Sequence, residues 1–501
     1  MPSHFITASM LYNLVSCEHR LYLDTFGDTS LRDEPNAFIQ LLWEKGTLFE
    51  QEVIRKLETP FLDLSCYRGE EKEQRTRNAM NERIPLIYSG RLSVDDLLGE
   101  PDLLRHEGTG YVAGDIKSGS GEEGDEGKGK LKKTYAVQLG LYTDILERIQ
   151  YSAGRWSFIW DIHDNEIRYD FSQPQGTRTP QTWWELYNTF RQRARDILEQ
   201  AHTTQPAYSS GICKLCHWYR PCLLNLQKQQ DLTLLPELGR SKRDALRTYF
   251  STIHGFATSQ LDTLIHGKNT DIPGIGVGTL QKLHARAKLV SAGKQARPYL
   301  RKAVDLPVHQ SEVFFDIEVD PLRDHTYLHG FIERRNHDNS TEQYVAFFAE
   351  QPTPESEQAA FAQAVRYLQQ HAHSKVYYYS KYERTMYRKL QTKYPEVCSA
   401  EDIETLFSQE RAIDLYFDVV LKATEWPTRD YSIKSLAKYL GFLWRDTHPS
   451  GAASIEWFHR LVESDDQAIR QRILDYNEDD CIATRVLLDG IRQLPLHPSI
   501  T

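Results

Sequence analysis

Residues 99–119 read GEPDLLRHEGTGYVAGDIKSG. The stretch places Asp102 near the end of one strand-like run and Asp115 and Lys117 on the next. Residues two apart on a strand share a face, so Asp115 and Lys117 project together, and hairpin pairing brings Asp102 beside them. Two carboxylates at that separation can hold Mg²⁺ or Mn²⁺ against a phosphate, and a lysine beside them can orient or activate the attacking water. This is equipment for phosphodiester hydrolysis. An isolated Asp-x-Lys is more often an ordinary surface pair, so the flanking sequence has to decide.

Upstream, the helical run LLWEKGTLFEQEV carries Gly46-x-x-x-Glu50; downstream, YAVQLGLYTDIL carries Gln138-x-x-x-Tyr142, an i, i+4 pair on one helix face. The ordered set resembles the RecB-type branch of the PD-(D/E)XK nucleases, in which a GxxxH or GxxxE helix, a D, a DxK and a QxxxY helix follow one another. The resemblance implies a restriction-endonuclease-like domain. It makes Glu50, Asp102 and Asp115 metal ligands and Lys117 the catalytic lysine, with Gln138 and Tyr142 supporting site and substrate. Glu50 stands where a histidine is common, which leaves the metal preference open.

Cys213-x2-Cys216-x5-Cys222 follows this segment, and Cys17 lies in LVSCEHRLYLD near the N-terminus. Three closely spaced thiolates in an intracellular chain suit a soft metal, and a fourth can come from a distance. Zinc is the default for that spacing. The one-plus-three arrangement resembles the iron–sulfur clasp of AddB and of CRISPR-associated RecB-type exonucleases, which implies a structural [4Fe–4S] cluster, with zinc as the alternative. Cys66, Cys398 and Cys481 are scattered and read as small buried residues.

Ile272-Pro-Gly-Ile-Gly-Val-Gly-Thr-Leu280 is not a dinucleotide loop, since its third glycine is one residue early and no βαβ strand precedes it. It fits a helix-hairpin-helix turn, in which backbone N–H groups of Gly274, Gly276 and Gly278 bind a DNA phosphate without reading sequence. Pro236-Glu-Leu-Gly239 is a weak copy 37 residues earlier. The alternative is a pair of loops that only connect helices.

Phe314-Phe315-Asp316-Ile317-Glu318 sets two acids on one face of an apolar strand, and divalent metal is an economical way to satisfy them. Far downstream, Tyr476-Asn-Glu-Asp-Asp480 places Tyr476 and Asp480 at i, i+4. The set resembles DnaQ-type, or DEDD, 3′–5′ exonucleases on an RNase H-like fold, and YSIKSLAKYLGF (431–442) resembles that family's linker helix. The resemblance makes Asp316 a bridging ligand, has Glu318 and Asp480 complete the metal shells, and has Tyr476 orient water. The middle acid departs from the family: Glu383 is favoured because it follows a strand, with Asp414 as another candidate. A decayed fold with leftover carboxylates is the bland alternative.

With 501 residues, 40% hydrophobic, the chain is long enough for about three domains. Mean hydropathy of −0.56 and no long apolar run argue against a transmembrane protein. MPSHFITASMLYNL has no basic n-region or apolar h-region, which predicts a cytoplasmic protein. The formal charge of −10 argues against nucleic acid until it is divided: residues 206–310 hold fifteen Lys and Arg against six Asp and Glu, a local +9. The expected organisation is α/β multidomain: a RecB-type nuclease with four-cysteine clasp over 1–225, a basic helix-hairpin-helix region over 226–305, and a mixed-sheet RNase H-like exonuclease domain over 306–501. Gly119–Lys133 reads as a flexible charged loop. The expected substrate is single-stranded or end-containing DNA, with RNA or a binding-only adaptor as alternatives. Since no GxxxxGK[ST] occurs, any helicase would be a separate partner.

Overall fold

A computed structural model describes residues 4–34, 37–123, 129–176 and 180–497. Part of the Gly119–Lys133 loop, residues 124–128, lies outside these; on either side Glu122–Glu123 pairs with Lys130–Leu131. The chain divides into two units, Met1–Pro206 with Gly211–Cys222, and Ala207–Ser210 with Leu223–Thr501. The basic 226–305 segment lies within the second. Among the described residues no helix is long and apolar enough to cross a membrane.

The first unit contains helices α1 (Ala8–Ser16), α2 (Glu18–Phe26), α3 (Ala37–Lys56), α4 (Gly69–Asn81), α5 (Lys133–Arg148) and α6 (Trp183–Leu198). Strands β1 (Leu62–Asp63), β2 (Leu86–Tyr88), β3 (Leu103–Glu107), β4 (Gly110–Ile116), β5 (Trp156–Trp160) and β6 (Glu166–Asp170) form a mixed sheet in the order β6-β5-β4-β3-β2-β1. Every residue of β4 is buried, as a strand covered on both faces requires. Its alternation divides the core: Val112 and Ile116 pack with Val53 of α3 and Phe158, while Tyr111 and Ala113 pack with Leu139 and Leu141 of α5. Asp115 shares the parity of Tyr111 and Ala113 and so faces α5. That helix is buried from Tyr135 to Leu146, packed between the sheet, α1 and α6.

In the second unit, α7 (Gly239–Arg247) and α8 (Val277–Ser291) lead into a five-stranded sheet. Its strands are β7 (Ser311–Asp320), β8 (His325–Arg335), β9 (Asp338–Phe348), β10 (Lys375–Tyr378) and β11 (Ala412–Asp414), in the order β9-β8-β7-β10-β11. The first three pair antiparallel, and β10 and β11 run parallel to β7. The helices are α9 (Pro354–Gln370), α10 (Tyr382–Lys393), α11 (Ile433–Tyr439), α12 (Gly451–Ser464) and α13 (Gln467–Arg492). Val313, Phe315 and Ile317 of β7 pack against Phe361 of α9 and Tyr387 of α10. Phe314, on the other face, packs with Leu487 and Leu488 of α13. Asp316 and Glu318 continue that second face, so the strand's pleat carries the acids under α13.

Not all of the local +9 reaches solvent. Arg286 of α8 is fully buried and paired with Glu425 at 2.7 Å and Glu237 at 3.0 Å, and Arg243 of α7 is buried beside Asp231 and Asp244. Arg286 joins the basic segment to Glu425 beyond it, and Arg243 is held by acids within the segment, so neither faces a ligand.

Candidate functional site

In the first unit the β3–β4 hairpin has Leu103 opposite Gly114, which brings Asp102 beside Asp115 just beyond the paired residues. The Asp102 amide donates to Asp115 Oδ1 at 3.4 Å, and the Ile116 amide donates to Asp102 Oδ2 at 2.8 Å. Lys117 Nζ lies 2.9 Å from Asp115 Oδ2, and Gln138 Nε2 donates to the same oxygen at 2.5 Å. Burial, then the Asp115 charge, hold the Asp102 carboxyl well above the usual range. Burial acts to lower Lys117, but Asp115 and Asp102 outweigh it and keep the ammonium charged. A divalent cation would answer the crowding of two carboxylates here, and the donor set fits it.

Glu50, on α3, accepts from the Tyr88 phenol at 2.8 Å and adds its charge to those raising Asp102. Tyr142 is buried against the chain at Gly99, where a Cβ would stand 2.7 Å from its ring, and its phenol donates to the Glu100 carbonyl at 3.4 Å. It shapes the floor of the site, while its partner Gln138 touches the acid itself.

Asp316, Glu318 and Asp480 offer carboxylate oxygens within 4.8 Å of one another. Each acid is held by a donor. Asn477 Nδ2 reaches Asp316 at 2.8 Å, the Tyr327 phenol reaches Glu318 at 3.2 Å, and Trp444 Nε1 reaches Asp480 at 2.7 Å. Burial, then the charges of Asp480, Glu318 and Glu383, push Asp316 well up; burial and Asp480 raise Glu318. Such mutual repulsion among buried oxygens is what a divalent cation relieves, so this donor set also fits one.

Gly330 makes the approach of α13 possible. It lies opposite Asp316 on β8, and a Cβ there would collide with the Asn477 amide. Glu383 opens α10, is buried, and is raised to about 8, chiefly by desolvation. Asp414 spends its Oδ1 on the amides of Tyr416 and Phe417, both at 2.9 Å, and so caps the turn that follows. Of the two candidate middle acids, Glu383 is the one that acts on Asp316.

Lys434 is a participant that the motif spacing did not supply. Its Nζ donates to the Tyr476 phenol oxygen at 2.8 Å and lies 3.3 Å from both Asp480 oxygens. Ser432 caps the N-terminus of α11 through Ser435 and so fixes the turn that carries it.

Models of two families match the chain: the PD-(D/E)XK nuclease superfamily over residues 23–222 and the RNase_H superfamily over 313–491. The chain fuses a PD-(D/E)XK nuclease superfamily domain to an RNase_H superfamily domain. No curated protein matches it.

The PD-(D/E)XK match ends at Cys222, the last of three cysteines in the clasp segment. Cys17 sits in extended backbone between α1 and α2, and none of the four cysteines is in a disulfide. Burial, then Cys17, Cys216 and Cys213, push Cys222 up to about 12, so Cys17 acts on Cys222 from more than 200 residues away in sequence. Around them Asp24 accepts from Trp218 Nε1 at 2.8 Å and faces His217 Nε2 at 2.7 Å, while the Arg220 amide donates to Asp33 at 2.7 Å. Four thiol donors are of the type that suits a soft metal or cluster.

Between the two family matches, the repeated hairpins share a backbone bend. Glu237 takes φ 60° where its counterpart Gly274 takes φ 74°. Gly274, Gly276 and Gly278 are exposed, and Gly276 begins α8 without a side-chain cap.

Proposed function

We propose that the protein is a metal-dependent nuclease that hydrolyses phosphodiester bonds of DNA, single-stranded or carrying ends, with one active site in each superfamily domain. The observation that carries this reading is the oriented trio Asp316, Glu318 and Asp480, with oxygens within 4.8 Å, in a chain that also pairs Asp115 with Lys117 at 2.9 Å. Divalent metal, when bound, supplies charge to the phosphate and acidity to a water. In the N-terminal site Asp102 and Asp115, with Glu50, would hold it, Lys117 would orient the attacking water, and Gln138 would fix Asp115. In the C-terminal site Asp316, Glu318 and Asp480 would hold it, Glu383 would complete the acidic wall, and Tyr476 would orient the water.

Cys17, Cys213, Cys216 and Cys222 would hold a structural [4Fe–4S] cluster, or zinc, that ties the N-terminal segment to the end of the nuclease domain. The glycines 274, 276 and 278 would contact a DNA backbone phosphate as a helix-hairpin-helix. A cytoplasmic setting and a separate helicase partner belong to the same reading.

The decisive assay is digestion of labelled DNA and RNA in Mn²⁺ by the wild type, Lys117→Ala, Asp316→Ala and the double variant. Each single variant should lose one part of the activity and the double variant nearly all of it; a double variant as fast as wild type refutes both assignments. Lys434 favours a second reading for the C-terminal domain alone. An ammonium 3.3 Å from both Asp480 oxygens is the counter-charge of a site that binds nucleic acid without cutting it. In that case Asp316→Ala leaves digestion unchanged.

A further inference from the structure

Lys72, on α4, has only 5% of its surface exposed. Its Nζ donates to Ser89 Oγ at 2.8 Å, and among the described residues no carboxylate lies within ion-pair distance of it. A buried ammonium with one neutral partner is costly, because desolvation is not repaid by a counter-charge. Burial holds Lys72 below the usual lysine range; among the charges around it Glu100 acts most strongly and opposes this, Arg68 and Arg91 act in the same sense as burial, and Asp102 acts against it. Two further cations therefore act on the Lys72 ammonium. Glu100 is already bound by Arg91 at 2.9 Å, and Arg91 Nε, buried without a hydrogen bond, has Glu73 at 4.0 Å.

The position is as telling as the charge. Ala79 and Met80 of α4 pack into the same core as α5, so Lys72 lies on the face of the sheet that carries Asp115. Ser89 holds a left-handed backbone at φ 57°, disfavoured for a serine, and its amide donates to the Asp102 carbonyl at 2.7 Å. A strained turn thus links the unpaired lysine to the proposed metal ligand.

We propose that Lys72, with Arg68 and Arg91, forms a subsite for a backbone phosphate of the substrate strand, next to the one cleaved at Asp102 and Asp115. The proposal rests on the nuclease reading of that site and deepens it. The phosphate is the close counter-charge that Lys72 lacks, and it registers the strand relative to the metal ligands.

The test is binding of a fluorescent single-stranded oligonucleotide by the full chain in EDTA, across a salt series, for wild type, Lys72→Met and Lys72→Arg. Lys72→Met should bind about tenfold more weakly, with the log–log salt slope reduced by about 0.7 for one lost phosphate contact. Lys72→Arg should retain most of the affinity. Lys72→Met should melt no lower than wild type, because an unpaired buried charge has been removed. Unchanged affinity and slope in Lys72→Met overturn the proposal, and so does a protein that melts well below wild type, since Lys72 would then be a prop for the Ser89 turn. Arg91→Gln, which should weaken binding in the same way, checks the subsite through a second residue. If the wild type cuts nothing in Mn²⁺ yet Lys72→Met weakens binding, the subsite stands and the catalytic reading falls; if it cuts and Lys72→Met binds normally, the reverse holds.

Discussion

Replacing Lys434 with methionine removes the one cation that, among the described residues, touches the C-terminal carboxylates, while keeping the length of the side chain. At 3.3 Å from the Asp480 oxygens and an effective dielectric constant of about 20, the Coulomb attraction is about 5 kcal/mol. Since 32% of the lysine side chain faces water, solvent screening reduces the useful part to about 1–2 kcal/mol. A dication binding Asp480 has to displace or oppose this interaction, so Lys434→Met should bind Mn²⁺ about 5–30-fold more tightly. Mn²⁺ titration calorimetry, with Asp316→Ala as the control that abolishes the site, measures this directly. In the absence of metal the variant should melt lower than wild type, and added Mn²⁺ should raise its Tm by more. An unchanged or weaker Mn²⁺ affinity in Lys434→Met would refute the reasoning, because the ammonium would then be no competitor for Asp480. The same variant separates the two readings of the domain. Digestion that depends on Asp316 and falls in Lys434→Met makes the lysine part of the chemistry; digestion that appears only in Lys434→Met makes it the block.

Glu383 gives a pH signature. Its folded-state pKa of about 8 lies above the ordinary 4.5, so the folded protein holds a proton that the unfolded chain releases, and metal-free stability falls as pH rises between those values. Glu383→Gln should therefore match wild type near pH 4 and exceed it by up to a few kcal/mol at pH 9, a gap that denaturant unfolding in EDTA reads. A constant difference across that range contradicts the burial account. For the clasp, Cys222→Ala should lower Tm by several degrees and, in anaerobically purified protein, abolish visible absorbance and bound iron together. Zinc alone in the wild type assigns the four thiols to zinc instead.

Much of both sites could be read from spacing because the relevant geometry is local. The two-residue period of a strand joins Asp115 to Lys117 and Asp316 to Glu318, and the four-residue period of a helix joins Gln138 to Tyr142 and Tyr476 to Asp480. The order of these pairs resembled two nuclease families, and the matches over 23–222 and 313–491 agree with that. Lys434 escaped because its contact with Asp480 spans 46 residues and depends on where α11 is capped. Asn477 adjoins Tyr476 in the motif, but nothing in YNEDD shows that Gly330 opens the space through which it reaches Asp316.

The charge of −10 shows the same division. Sequence alone established that the deficit is uneven and that residues 206–310 are net +9. Only the tertiary structure decided which cations are available: Arg286 and Arg243 are buried against acids of their own unit, whereas Lys72 has no carboxylate at ion-pair distance among the described residues. Sequence counts charges, but the energy of a charge depends on its solvent exposure and on the groups within a few ångströms of it, and only the folded chain fixes those distances.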